Sequence, residues 1–107
     1  MVVNRFEVWL VDLEPVKGSE ISKTRPCLII SPNETNKHLN TVTIAAMTTT
    51  YKNYPTRVNC FFKNQKGQLA LDQIRSVDKI RLVKKLGIID EAICRKVSKV
   101  LVDIFSY

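Results

Sequence analysis

Across its first 62 residues the chain offers β-forming runs of only about four to nine residues, each cut short by a turn-former, and that spacing restricts the fold most. Residues 6–13 are rich in β-formers, with Phe6, Val8 and Leu10 at period two. Glu14-Pro15 ends this run, because proline has no N–H to give to a ladder. A polar loop from Val16 to Thr24 leads to Arg25-Pro26, which opens a second strand, Cys27-Leu28-Ile29-Ile30, stopped by Ser31-Pro32. That strand is apolar on both faces, which predicts a central place in a sheet. Residues 33–40 are polar and suit a short helical turn. Thr41 to Thr49 forms a third strand, Tyr51 to Pro55 a loop, and Thr56 to Phe62 a fourth strand with Val58, Cys60 and Phe62 alternating. Lys63 to Gly67 is turn-like, and short apolar stretches follow at 68–74 and 82–89, with charged residues between them. Strands so short and so regularly interrupted predict a small, strongly curved antiparallel sheet or barrel.

The period then changes. Ile93, Val97, Val100, Leu101 and Ile104 fall on one stripe of an α-helix, with Asp90 as its N-cap and Glu91 in the first turn, where the helix dipole favours negative charge. The whole chain is 107 residues, enough for one core, so residues 1–107 are expected to form a single domain closed by this helix. No apolar run is long enough to cross a membrane, and Met1 to Arg5 resembles no secretory leader. Cys27, Cys60 and Cys94 are odd in number and widely spaced, which predicts buried thiols in a reducing cytoplasm rather than a disulfide framework.

Charge points towards a partner. There are 17 Lys and Arg against 10 Asp and Glu, a net +7, yet residues 90–107 carry three of each sign. The whole excess therefore lies in the first 89 residues, where a polyanion would be met. Several chemistries lack the residues they need. His38 is the one histidine and stands in a polar, solvent-facing stretch, and no Cys-x-x-Cys spacing occurs, so no metal site is expected. Gly18, Gly67 and Gly87 are isolated, which removes a phosphate-cradling glycine loop.

What remains is a set of polar groups beside apolar strands. Glu20 and Arg25 bracket the first loop, Thr48-Thr49-Thr50 close the third strand, and Asp72-Gln73 interrupt the apolar Leu69-Ala70-Leu71. A carboxylate and an amide inside a β-run need hydrogen-bond partners if they point inward.

Several motifs now stand in order: Glu7-Val8-Trp9, Asp12-Leu13-Glu14-Pro15, Lys17-Gly18-Ser19-Glu20, Arg25-Pro26 followed by Leu28-Ile29-Ile30-Ser31-Pro32, Ala45-Ala46-Met47-Thr48-Thr49, Tyr54-Pro55, and the run Asp72 to Asp78. This order resembles the MazF/PemK (Kid) toxins of bacterial type II toxin–antitoxin systems, over about residues 6–82. The resemblance implies a β-rich α+β fold, a small SH3-like antiparallel β-barrel with a C-terminal α-helix, shared by the CcdB, MazF and Kid toxins. It further implies a homodimeric endoribonuclease that needs no metal or other cofactor. Such an enzyme cuts single-stranded RNA to 2′,3′-cyclic phosphate and 5′-hydroxyl ends. Its expected partners are a cognate acidic antitoxin of the MazE/PemI type and, together with that antitoxin, operator DNA.

Carried over residue by residue, the family's catalytic arginine falls on Arg25, its catalytic threonine on Thr48 and its loop acid on Glu20. Cleavage needs the 2′-hydroxyl deprotonated, the charge on phosphorus stabilised and the 5′-oxygen protonated. The guanidinium fork of Arg25 matches a phosphate, and guanidinium groups keep their proton in proteins, so its part is charge stabilisation. Thr48 can donate a hydrogen bond to a non-bridging oxygen. Glu20 is the candidate base and Asp72 the alternative. Lys17, Lys23, Lys52 and Tyr54 are expected to grip RNA, Tyr54 by stacking on a base, with Ser19, Thr49 and Gln73 completing the contact set. Trp9 is assigned to the core. The Kid-like branch carries a histidine just before the loop glutamate and an arginine two residues before the strand aspartate. Ser19 and Ala70 stand at those positions here, which favours the MazF arrangement of Arg25 with Thr48.

Two other readings share the fold. A CcdB-like gyrase poison would end in Trp-Gly-Ile, whereas this chain ends Ile104-Phe105-Ser106-Tyr107. A non-catalytic nucleic-acid-binding barrel would act only in operator autoregulation.

Overall fold

A computed structural model describes all residues, Met1–Tyr107. Seven strands and two α-helices follow in the order β1 (Glu7–Asp12), β2 (Thr24–Ile29), α1 (Asn33–His38), β3 (Thr41–Thr48), β4 (Arg57–Phe62), β5 (Gln65–Ala70), β6 (Arg75–Asp78), β7 (Leu82–Ile88) and α2 (Glu91–Phe105). Single 3₁₀ turns at Leu71–Gln73 and Lys79–Arg81 flank β6. Every pairing is antiparallel, in the order β4-β5-β3-β2-β1-β7, with β6 on β3. The expected curved antiparallel β architecture with a terminal helix is what the chain adopts, and β2 is central.

One edge of β3 serves two partners. Thr41 to Ile44 pair with β6, and Met47 and Thr48 pair with β5. The connection between those partners is the 3₁₀ turn at Leu71–Gln73, so β5 and β6 act as one strand broken in the middle. Two sequence expectations are corrected here. Asp72 and Gln73 do not lie inside a β-run; they occupy the break, where the ladder is interrupted and polar groups need not face a core. The charged stretch between the late apolar runs is itself a strand, β6, held by its pairing with β3 and by one buried residue, Val77. Too little apolar content marks it in the sequence. The turn expected over 63–67 is also shorter. Lys63 and Asn64 alone make it, both at positive φ, which matches the twist of a two-residue hairpin.

The curled sheet is covered on both faces, as the doubly apolar β2 requires. Val8, Leu28, Ala45, Leu69 and Leu71 pack beneath Ile93, Cys94 and Val97 of α2. On the other face, Trp9, Val11, Cys27, Ile29, Ile44 and Val77 form a second cluster, which confirms Trp9 as a core residue. Its indole N–H donates to Glu7 at 3.0 Å, and the buried Glu7 carboxylate also takes Lys85 at 2.9 Å. Asp90 caps α2 by accepting from the Ile93 N–H at 2.9 Å. All three cysteines are buried and free. No helix is long and apolar enough to cross a membrane.

Candidate active site

Arg25 is the second residue of β2 and Thr48 the last of β3, so neighbouring strands bring them to one end of the sheet. The loop between β1 and β2 folds over that end. Three contacts fix it: Ile21 N–H donates to Gln73 Oε1 at 2.8 Å, Arg25 Nε donates to Ser22 O at 2.8 Å, and Lys17 N–H donates to Glu20 Oε1 at 2.5 Å. Gln73 thus holds the loop with its own amide, from a position that the 3₁₀ break makes available.

Arg25, Thr48, Glu20, Ser19, Lys52 and Gln73 line one cavity of about 220 Å³. Six of the eleven expected site residues therefore converge. Arg25 and Thr48 also border a second hollow of about 250 Å³, with Thr49, Phe62 and Lys66 on its walls. Glu20 and Gln73 border a third, of about 420 Å³, shared with Asp72 and Arg75. The first shares Arg25 and Thr48 with the second and Glu20 and Gln73 with the third, so it adjoins both.

Thr48 is buried, and its Oγ1 accepts the Thr50 N–H at 3.1 Å. With a lone pair so engaged, the hydroxyl proton is free to be donated into the cavity. Behind it, buried Gln68 clamps the following loop: its Oε1 accepts from Lys52 N–H at 3.0 Å and its Nε2 donates to Lys52 O at 3.2 Å. Gln68 was not anticipated, since a glutamine on a strand reads as solvated.

Asp72 is the carboxylate that the structure sets apart. Arg57 grips it through two hydrogen bonds, Nε to Oδ1 at 2.6 Å and Nη2 to Oδ2 at 3.2 Å, and Thr56 donates to it as well. Partial burial opposes its ionisation, but the Arg57 hydrogen bonds outweigh this and hold the carboxyl below its ordinary pKa. A carboxylate so stabilised is a poor proton acceptor. Arg57 itself lines the Arg25–Thr48 cavity and was not among the expected residues. It stands directly across the β4–β5 ladder from Ala70, so a guanidinium reaches this end of the barrel from the adjacent strand.

Lys17, Lys23, Thr49 and Tyr54 do not line that central cavity. Thr49 borders the second hollow, and the exposed Tyr54 ring lies with its centroid 5.6 Å from the Arg57 guanidinium carbon. Lys23 has positive φ, and its N–H donates to Glu14, so its local role includes shaping the loop.

A small curled barrel whose cationic cavity sets the phosphate-matching guanidinium of Arg25 beside the Thr48 hydroxyl, the Glu20 carboxylate, Lys52 and Arg57 defines a nucleic-acid-processing class of protein. The comparisons narrow that class. The family described as PemK-like, MazF-like toxin of type II toxin–antitoxin system matches residues 4–105. The endoribonuclease MazF of Staphylococcus epidermidis is 38% identical over 97 residues, covering 85% of this chain and 81% of that protein. MazF of Deinococcus radiodurans has the same fold, with a TM-score of 0.87 at 22% identity, covering 100% of this chain and 99% of that one. A mycobacterial endoribonuclease solved in complex with its cognate antitoxin superposes with a TM-score of 0.80 at 27% identity, covering 94% and 92%. This chain belongs to the PemK-like, MazF-like toxins of type II toxin–antitoxin systems.

Proposed function

We propose that this toxin is an endoribonuclease that cuts single-stranded RNA in the Arg25–Thr48 groove, without a metal, leaving 2′,3′-cyclic phosphate and 5′-hydroxyl ends. Family membership and the endoribonuclease relative support the activity. The observation that carries the site is the convergence of Arg25, Thr48 and Glu20 on one cavity.

In the mechanism, Glu20 takes the proton of the RNA 2′-hydroxyl, and the 2′-oxygen forms a bond to phosphorus. Arg25 stabilises the charge that builds on the non-bridging oxygens, and Thr48 donates a hydrogen bond to one of them. The bond from phosphorus to the 5′-oxygen then breaks, and that oxygen leaves with a proton taken up through solvent in the open groove. Glu20, Arg25 and Thr48, the three protein groups of this sequence, all line the one cavity.

Its partners follow from the same groove and from the relative crystallised with its antitoxin. A cognate antitoxin with an acidic segment occupies the cationic groove and competes with RNA. Dimer formation, operator DNA binding with the antitoxin and a cytoplasmic location belong to this reading.

The test is direct. Incubation of the purified protein in EDTA with a long single-stranded RNA is expected to give cuts at defined positions bearing 5′-hydroxyl ends, abolished by Arg25→Ala. Intact RNA alongside inhibited gyrase would replace this reading with the gyrase-poison one. RNA bound but never cut would leave only the binding barrel.

A further inference from the structure

The Arg57 side chain is only 5% exposed, yet it is held at the wall of the cleavage cavity rather than in the core. Its guanidinium carries five N–H groups. Two donate to Asp72, and a third reaches Thr50 O at 3.4 Å, a weak contact. Two donors are left without a protein acceptor. The bidentate grip of Asp72 fixes the plane of the group, and the Tyr54 ring lies 5.6 Å from its central carbon. A guanidinium fixed in this way loses little freedom when it binds an anion, which is the condition for strong oriented recognition.

We propose that Arg57 is a second phosphate-binding arginine of the groove, taking a phosphodiester oxygen of the RNA with the N–H groups that Asp72 leaves free. The proposal rests on the reading of this groove as the RNA-cleaving site. Arg57 and Arg25 then address the backbone from two walls of the same cavity. Asp72 acts through Arg57 as a positioning residue. Because the pair is neutral as a whole, its contribution is a short-range, directional contact rather than long-range attraction.

A chemical double-mutant cycle tests this. The probe is a short single-stranded RNA spanning a mapped cut site, blocked by a 2′-O-methyl group and carrying an uncharged methylphosphonate at one linkage at a time. Binding is measured for the native protein and for the double variant Arg57→Gln with Asp72→Asn, which keeps net charge and strands neither partner. In the native protein, the methylphosphonate at one linkage is expected to weaken binding about tenfold, and in the double variant that same substitution is expected to have almost no effect. Arg57→Lys, which keeps the charge without the fork, should retain part of the coupling. Equal methylphosphonate effects in both proteins at every linkage would make Arg57 a purely structural partner of Asp72 and overturn the proposal, with the cleavage reading intact. Absence of RNA binding and cutting by the native protein would remove both.

Discussion

Gly67 of β5 lies against the carbonyl of Thr48: a Cβ at position 67 would sit 3.1 Å from Thr48 O. That oxygen is backbone and has no flexible end to move aside. The absent side chain at 67 therefore lets β5 approach Thr48, whose hydroxyl is the proposed donor to the scissile phosphate. Gly67→Ala is expected to shift Thr48 by a few tenths of an ångström and lower the cleavage rate about tenfold, with the chain still folded. Single-turnover cleavage measured beside thermal unfolding checks this. Unchanged rates would mean that the contact has no bearing on Thr48.

The two carboxylates near the groove should separate by pH profile. Glu20→Gln is expected to lower the cleavage rate by about 10²–10⁴ and to remove the acid limb of the rate profile, as loss of a general base does. Asp72→Asn should keep that limb. Its larger effect falls on stability, about 1–2 kcal/mol, because Arg57 loses its partner while Asp72 is partly open to solvent. The reverse pattern, with the acid limb vanishing in Asp72→Asn, would transfer the base role to Asp72.

Acid should weaken the fold through Asp72 and Glu7. At Glu7 burial opposes ionisation, but the Asn4 backbone N–H, Lys85 and Trp9 together outweigh it, so this carboxyl, like Asp72, lies below its ordinary pKa. The folded chain thus holds these protons more weakly than the unfolded chain. Their stabilisation is complete above the ordinary carboxylate values near pH ~4 and is lost as pH falls through the lower folded values. Denaturant unfolding followed from pH 6 to pH 2 should show a decline beginning near pH ~4 that flattens in Glu7→Gln. The same decline in that variant as in the native protein would refute the assignment to Glu7.

Thiol chemistry should be silent in the folded state. Burial pushes the Cys27 thiol up to about 12 and the Cys60 thiol up to about 11. At pH 8 a thiol reagent should label neither, whereas denaturant should release all three cysteines to it. Raised thiol values also mean that folding favours the protonated form. That contribution is complete below the ordinary thiol pKa of about 8.5 and is lost as pH rises towards 11 and 12. Rapid native labelling of Cys27 would show that its surroundings open more readily than the packing of β2 implies.

By itself the sequence determined the elements whose signal is local. The stripe from Ile93 to Ile104 and the cap at Asp90 set α2, because helical periodicity and capping act within a few residues. The doubly apolar run at Cys27–Ile30 determined a central strand. Arg25, Thr48 and Glu20 were legible because they lie in ordered motifs.

Only the tertiary structure decided what depends on register. The break between β5 and β6 turned Asp72 and Gln73 from misplaced strand residues into an ion-pair partner and a loop clamp, since β3 offers its edge to two partners in succession. Arg57 begins a strand and reads as a solvated charge; opposite Ala70, with Asp72 just beyond, it becomes part of the groove wall. The +7 charge pointed towards a polyanion as partner. Folding chose which cations line the cavity, because hydrogen bonds between residues distant in sequence leave no periodic or compositional trace.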